Sequence, residues 1–439
     1  MTAIVGHGGS GSAQRKMPLS FGQRRLWIAE QVAPGSLAYT TPVLLRWRGE
    51  MRVEVLRSCL DAVVERHEVL RTTFVTELGV PTQLVGEFRG ADVQVVDCRG
   101  DGAAGVDRAI REELERPFDL ARGPLFRARV IVEADDAGVL LVNTHHIVTD
   151  GWSGAVLQDE LVALYPVLAA GGVSPLPELP LQYADFAVSQ RESLTPERRR
   201  VVQDYWRERL AGAPAYTSLP YDRDPSGVES REGSTFAFSL DPAVLGGVRA
   251  LAREENATSF MVLLAAYKVV LAKLTGETDV VVTTSVAGRS DAGLDGLIGF
   301  FVNNIVLRTD LSGEPGFREV VRRVRHTVLD AQDHEDLPFD MLVAALRPPR
   351  RPQQTPFLQT AFVHQPESIA EYHIGDVAVR PIPAPLTPAP LDLTFSFFED
   401  VGLEIQINYR VDLFKPDTIR HLGEQFSATL RAGVGGEDD

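Results

Sequence analysis

Cysteine is nearly absent from this 439-residue chain, which contains only Cys59 and Cys98. A disulfide framework is therefore excluded as the source of its stability. Neither residue sits in a Cys-x-x-Cys or zinc-type spacing, so no metal ligand set is evident. A reducing cytoplasm is the compartment this predicts. Long apolar runs are missing too. The strongest, such as Met261–Val270, is interrupted by polar side chains and is too short to cross a bilayer. The Gly/Ser-rich start, residues 1–17, lacks the apolar centre of a signal peptide and reads as a flexible tail. Positive charge is in deficit, with 44 Lys and Arg against 60 Asp and Glu, a net charge of −16. That argues against nucleic acid, whose binding relies on neutralising phosphates. An acidic partner would have to dock on local basic patches, of which Arg198–Arg200 and Arg347–Arg351 are the densest. No Gly-x-Ser-x-Gly occurs, so no serine nucleophile is signalled.

What is present is an ordinary soluble composition, 44% hydrophobic and 24% charged, in a chain longer than the roughly 250–300 residues that one core supports. Two lobes are expected, with no short-period repeat. Helical spacing of Val55, Leu56, Leu60, Val63 and Val64 predicts a helix over 52–67, followed by a strand at Arg71–Val75. Strands at 93–96 and 125–132, and helices at 107–115 and 154–168, continue the alternation. Prolines 175, 177 and 180 mark a crossover over 174–181. The second half reads as helices at 196–211, 242–254, 259–274, 317–330, 336–346 and 416–430. Its strands fall at 235–240, 279–285, 302–307, 391–398 and 403–409. Mixed helix and strand in both halves predicts an α/β or α+β fold.

The most informative stretch is His145-His-Ile-Val-Thr-Asp-Gly151, directly after the apolar run Val139–Val142. It fits a strand that delivers an imidazole into a loop, and an imidazole can accept or share a proton near neutrality. Adjacent strand residues point to opposite sides, so one histidine faces a site and the other packs or braces the loop. With no serine or cysteine nucleophile nearby, direct transfer between two bound substrates is favoured over a covalent enzyme intermediate.

The motif does not stand alone. Pro18-Leu-Ser-Phe-Gly-Gln-Arg-Arg-Leu-Trp27, Arg66-His-Glu-Val-Leu-Arg-Thr-Thr-Phe74, the histidine block extended by Trp152-Ser153, and Tyr183-Ala-Asp-Phe-Ala187 occur in that order. Ile298-Gly-Phe-Phe-Val-Asn-Asn304 and His334-Glu-Asp-Leu-Pro-Phe-Asp340 follow. This ordered set resembles the condensation domains of nonribosomal peptide synthetases, within the chloramphenicol acetyltransferase-like superfamily. There are two departures. Arg351–Gln359 keeps only part of the last motif, and Asn304 stands where Thr is commoner. Both bear on substrate identity more than on reaction type. Neither a carrier-protein serine motif nor an adenylation motif is present, so the chain is expected to be free-standing or excised from a larger synthetase.

The resemblance implies two chloramphenicol acetyltransferase-like lobes in a V-shaped pseudo-dimer with a central tunnel. Residues 18–181 would form the first lobe and 182–431 the second, with an acidic tail at 432–439. It implies a monomer that transfers an acyl group from a carrier-protein phosphopantetheine thioester to an acceptor amine. Donor and acceptor peptidyl carrier proteins are the implied partners, with no tightly bound cofactor, no metal and no membrane. His146 matches the catalytic position and His145 a loop support. Asp150 is implied as a structural ion-pair partner of Arg289, and Gly151 as a backbone N–H donor toward the thioester oxygen. Trp152 and Ser153 are expected along the channel, Ser153 contacting the pantetheine arm. Arg71 is expected either to brace the histidine loop or to form a plain surface salt bridge. Asn303 and Gln359 lie in segments that line or brace the channel. Two other readings remain: the same fold with a free amine or alcohol acceptor, and a recruitment module without chemistry.

Overall fold

The computed structural model describes residues 15–225, 232–351, 354–365, 370–385, 387–399 and 402–435. Its organising element is the strand Ala137–His145, buried along nearly its whole length. It pairs antiparallel with Thr40–Arg48 on one side and Phe126–Ala134 on the other. The run is apolar on both faces because both are covered. Val139 and Leu141, with Leu44 and Ile131, pack against Val106 and Ile110 of the helix Gly102–Leu114. Leu140 and Val142 face the opposite way, into a core shared with the helices Val53–Arg66 and Gly151–Ala169. Asp92–Asp97 completes one edge in parallel with Phe126–Ala134.

The other edge of this six-stranded sheet comes from far along the chain. Val377–Pro381 pairs with Leu45–Arg48, and Tyr372–Ile374 lies outside it. The division expected at residue 181 therefore does not separate the two sheets. Tyr183 and the segment from Leu294 to Phe301 also pack into the first core.

The second sheet has seven strands. In order they are Asn303–Asp310, Asp279–Val286, Thr360–His364, Leu393–Glu399, Leu403–Arg410, Glu232–Leu240 and Thr387–Pro388. Helices Pro242–Glu254, Ser259–Thr275, Phe317–Gln332 and Pro416–Gly435 share its core. Ser259–Thr275 is buried all round over Met261–Lys268, as its apolar sequence predicts. A three-stranded sheet orders Arg15–Pro18, Val80–Val85 and Thr72–Glu77.

Two terminal expectations change. Residues 15–17 belong to a strand, with Lys16 opposite Leu84, rather than to a tail. Residues 432–435 extend the last helix. Residues 1–14 and 436–439 lie outside the described residues, as do parts of the 214–233 break and of the 351–359 motif. Among the described residues no single helix is long and apolar enough to cross a membrane.

Candidate functional site

A cavity of about 1110 Å³ lies between the two sheets and is lined from both. The first sheet contributes Thr41 and Thr144, and the second contributes Thr283, Ala361 and Thr394. His146, Asp150, Gly151, Trp152 and Ser153 face it together, as does Gln359. His145, Asn303, Arg71 and Arg289 are not part of its wall.

The histidine loop is built by local hydrogen bonding. The strand ends at His145, whose N–H donates to the Leu125 carbonyl at 3.1 Å. The His146 N–H donates to the Tyr39 carbonyl at 2.8 Å. Thr149 folds back so that its carbonyl lies 2.6 Å from His146 Nδ1. A carbonyl only accepts, so Nδ1 carries the proton and the Nε2 lone pair is free. The hydroxyls of Thr41, Thr144 and Thr149 form a closed set, at 2.6, 2.7 and 3.0 Å. Phe300 meets the imidazole edge-on, with ring centroids 4.7 Å apart. Burial holds His146 below the usual histidine range, partly opposed by the Thr149 carbonyl and by Asp150.

His145 points away from the cavity and is 1% exposed. Its Nδ1 accepts the Ile147 N–H at 3.0 Å, and Phe118 packs edge-on to its ring. Burial drives its pKa down to about 3, with the neighbouring His146 adding to the effect. This has a consequence for stability. In the unfolded chain the residue takes up a proton below about pH 6.5, whereas the folded chain refuses it until near pH 3. Stability is therefore full above pH 6.5 and falls as the solution is acidified. The loss is about 2 kcal/mol between pH 7 and pH 5. Unfolding free energies from urea titrations at the two pH values should differ less in His145→Asn, by that amount. Equal pH dependence in both proteins would remove this account.

Asp150 caps the helix Gly151–Ala169. One carboxylate oxygen accepts the Ser153 N–H at 2.8 Å and the Ser153 hydroxyl at 2.7 Å, and the other accepts the Phe301 N–H at 3.0 Å. Arg289 stands 3.4 Å away, with both side chains essentially sealed from solvent (2% and 0% exposed). The guanidinium also donates to the carbonyls of Leu294 and Leu297, the latter at 2.9 Å, and lies 3.9 Å from the Phe301 ring centroid. Burial lowers the Arg289 pKa, and Asp150 pulls it back up. Gly151, as the first helical residue, has an N–H with no partner inside the helix, and the residue lies on the cavity wall.

Other sequence-based expectations need correction. Ser153 is 1% exposed and its hydroxyl is committed to Asp150 and to the Gly299 backbone at 3.0 Å, so it is not free for a pantetheine arm. Arg71 does not reach the histidine loop. It forms the alternative salt bridge, with Glu68 at 3.7 Å, and donates to the carbonyls of Gly86, Val64 and Glu65, so pinning the end of the helix Val53–Arg66 to the adjacent hairpin. Trp152 does lie on the cavity, with its indole N–H bonded to the Asp295 carbonyl at 2.9 Å. Asn303 clasps the segment 335–339 by three hydrogen bonds, to Glu335, Leu337 and Phe339. Gln359 is buried and holds Thr355 at 2.7 Å.

Sequence reasoning missed two supports. The Tyr183 hydroxyl bridges Ser20 at 2.8 Å and the Phe300 carbonyl at 2.5 Å. A Cβ on Gly299 would sit 2.0 Å from the Tyr183 ring, so only glycine fits there. His67 accepts the Ile298 N–H at 3.3 Å and bonds Glu160 at 2.9 Å. Tyr183 and His67 both lie inside the ordered motifs, but nothing local in the sequence says that they touch the 298–301 segment. Among the described residues no group of three or more His, Cys, Asp or Glu could hold a metal ion.

Comparison with known proteins fits this arrangement. The condensation-domain profile matches residues 13–435. A linear gramicidin synthase polypeptide from Brevibacillus parabrevis is 38% identical over 429 residues, a match covering 96% of this chain and 8% of that protein. The chain thus spans a small fraction of this relative's length. The X-domain from teicoplanin biosynthesis, solved in complex with OxyB, superposes with a TM-score of 0.85 at 27% identity, covering 99% of this chain and 97% of that one. The first condensation domain of the calcium-dependent antibiotic synthetase, solved with a substrate analogue, gives 0.81 at 20% identity, covering 97% and 98%, and so shares the fold. The chain belongs to the condensation-domain family of nonribosomal peptide synthetases, with the mixed α/β, chloramphenicol acetyltransferase-like fold of that family.

Proposed function

We propose that this chain forms an amide bond by moving an acyl group from a donor carrier's phosphopantetheine thioester to the amine of a carrier-bound acceptor. The observation that carries this reading is the free Nε2 of His146, facing a cavity walled by both sheets, beside the Gly151 N–H. The amine nitrogen attacks the thioester carbon while His146 accepts its hydrogen. The C–S bond then breaks, and the proton passes to the leaving sulfur. The Gly151 N–H faces the oxygen on which charge develops. Thioester aminolysis is downhill and needs no ATP, metal or redox group. Alignment of the two substrates supplies about 7–11 kcal/mol of barrier reduction, more than the roughly 10²–10⁴-fold expected of a general base. Trp152 and Gln359 are assigned to the channel wall, Asp150 and Arg289 to holding the loop. The reaction runs on a monomeric domain in the cytoplasm.

A second reading, a recruitment module that binds a separate protein without chemistry, is favoured by the likeness to the X-domain solved with OxyB. Intact-mass analysis of donor-loaded carrier, acceptor-loaded carrier and this chain separates the two. Condensed product on the acceptor carrier supports the first. Product formed only with a free amine or alcohol moves the reading to a one-carrier acyltransferase. Carrier binding with no product from any acceptor supports recruitment.

A further inference from the structure

The helix Phe21–Val32 carries Arg25 to the cavity wall, where it joins His146. Both groups rest on Phe300. The guanidinium carbon is 5.8 Å from the ring centroid, and the imidazole centroid is 4.7 Å from it. Unlike Arg289, Arg25 has no ion pair or hydrogen bond to a described residue. Burial lowers the Arg25 pKa, and Tyr39 and the Asp340 carboxylate pull it back up. Asp340 lies in the first turn of the helix Phe339–Leu346, also faces the cavity, and likewise forms no ion pair with a described residue.

A cation kept unpaired beside a base is costly unless its charge is used. The groups around His146 divide by what they do to an added proton. The Thr149 carbonyl and Asp150 favour it, although Asp150 is already occupied by Arg289, Ser153 and Phe301. Burial and the Arg25 charge oppose it, and Phe300 contributes only an apolar edge. His145, on the far side of the strand, stays uncharged at neutral pH. Arg25 is thus the only full positive charge in this set that is not already neutralised by a carboxylate.

We propose that Arg25 is a positioning residue for the transfer: its guanidinium, on the same ring of Phe300, repels an imidazolium at His146 and keeps Nε2 open to the attacking amine, while Asp340 tempers that charge. The inference rests on the acyl-transfer reading above. It also gives the proton a direction. Once the amine hydrogen reaches His146, the neighbouring cation drives it onward to the departing sulfur, leaving the imidazole neutral for the next cycle.

The test combines two readouts on the full chain. The first is kcat/KM against pH from 5.5 to 9 for wild type, Arg25→Met, Arg25→Lys and Asp340→Asn. The second is the NMR titration of the His146 ring, assigned by the resonance lost in His146→Gln, which needs no turnover. In Arg25→Met the midpoint should rise by about one pH unit, so that the rate at pH 6 falls several-fold more than at pH 8.5. Arg25→Lys keeps a charge there and should leave the midpoint near wild type. Asp340→Asn should move it the other way. A purely structural role for Arg25 would lower the rate equally at all pH values and leave the NMR midpoint in place, and that result overturns the proposal. Midpoints that shift in the same direction in Arg25→Met and Asp340→Asn also overturn it. Absence of turnover in wild type would instead count against the acyl-transfer reading, while the NMR midpoints still decide the role of Arg25.

Discussion

Replacing His146 with alanine should lower turnover by roughly 10²–10⁴-fold while leaving the protein folded. The size follows from how the site divides its labour. The imidazole is held in one tautomer by its Nδ1–H bond to the Thr149 carbonyl, and its edge-on contact with Phe300 orients the ring. Its depressed pKa means that the accepting form persists below the ordinary histidine midpoint, so the acid limb of kcat/KM should lie under pH 6.5. Alanine removes the acceptor but not the cavity, the loop backbone or the Gly151 N–H. A residual rate from alignment alone is therefore expected, and it should lack that acid limb. Circular dichroism and an unfolding curve would confirm the fold, and single-turnover kinetics from pH 5.5 to 9 would give the rate. A variant within five-fold of wild type would mean that His146 takes no proton in the reaction.

Replacing Asp150 with alanine should destabilise the protein by about 3–5 kcal/mol and also reduce activity. Three losses act together. The helix Gly151–Ala169 loses its cap, the Phe301 N–H loses its acceptor, and Arg289 is left buried beside no carboxylate. The last dominates, because a cap alone is worth only about 0.5–2 kcal/mol. Removing both charges should cost less than the two single changes together, since Asp150→Ala with Arg289→Met leaves no orphaned cation. Denaturant unfolding of the three variants tests this. An unchanged midpoint in Asp150→Ala would rule out the ion pair as a support of the loop. Equal costs from simple addition would place Arg289's main contribution in its bonds to Leu294 and Leu297.

The histidine loop was legible because its information is local. A buried apolar strand, two adjacent histidines and an Asp-Gly helix start follow one another without a break, and alternation along the strand separates the roles of His145 and His146. The long helices were legible for the same reason, as periodicity within one segment reports burial of one face. What sequence did not reveal depends on partners far away. The helix Phe21–Val32 buries Gln23 and Glu30 along with Phe21 and Leu26, so its inward face does not read as apolar. Thr40–Arg48 contains Pro42, which ordinarily argues against a strand. Pro42 is tolerated near one end, where Val377–Pro381 has stopped pairing and only Ala137–His145 lies alongside. The strands at 372–374 and 377–381 are too short to show a period. Ser153 lines the cavity and Arg71 pairs with Glu68, but the pantetheine contact and the loop-bracing role were misread for a related reason. Both occupy motif positions, yet the structure commits their polar atoms to backbone and to Asp150.

The late edge of the first sheet bears on the order in which the protein can be made. Val377–Pro381 pairs with a strand, Thr40–Arg48, that leaves the ribosome long before it. Until then Thr40–Arg48 presents an unpaired edge, open to pairing with another nascent chain. The segment Leu294–Phe301, which closes over Asp150, likewise arrives long after the histidine loop that it stabilises. The cavity is thus finished late, since its wall draws on residues as far along the chain as Thr394. A chain halted partway through synthesis would hold both histidines and no working site.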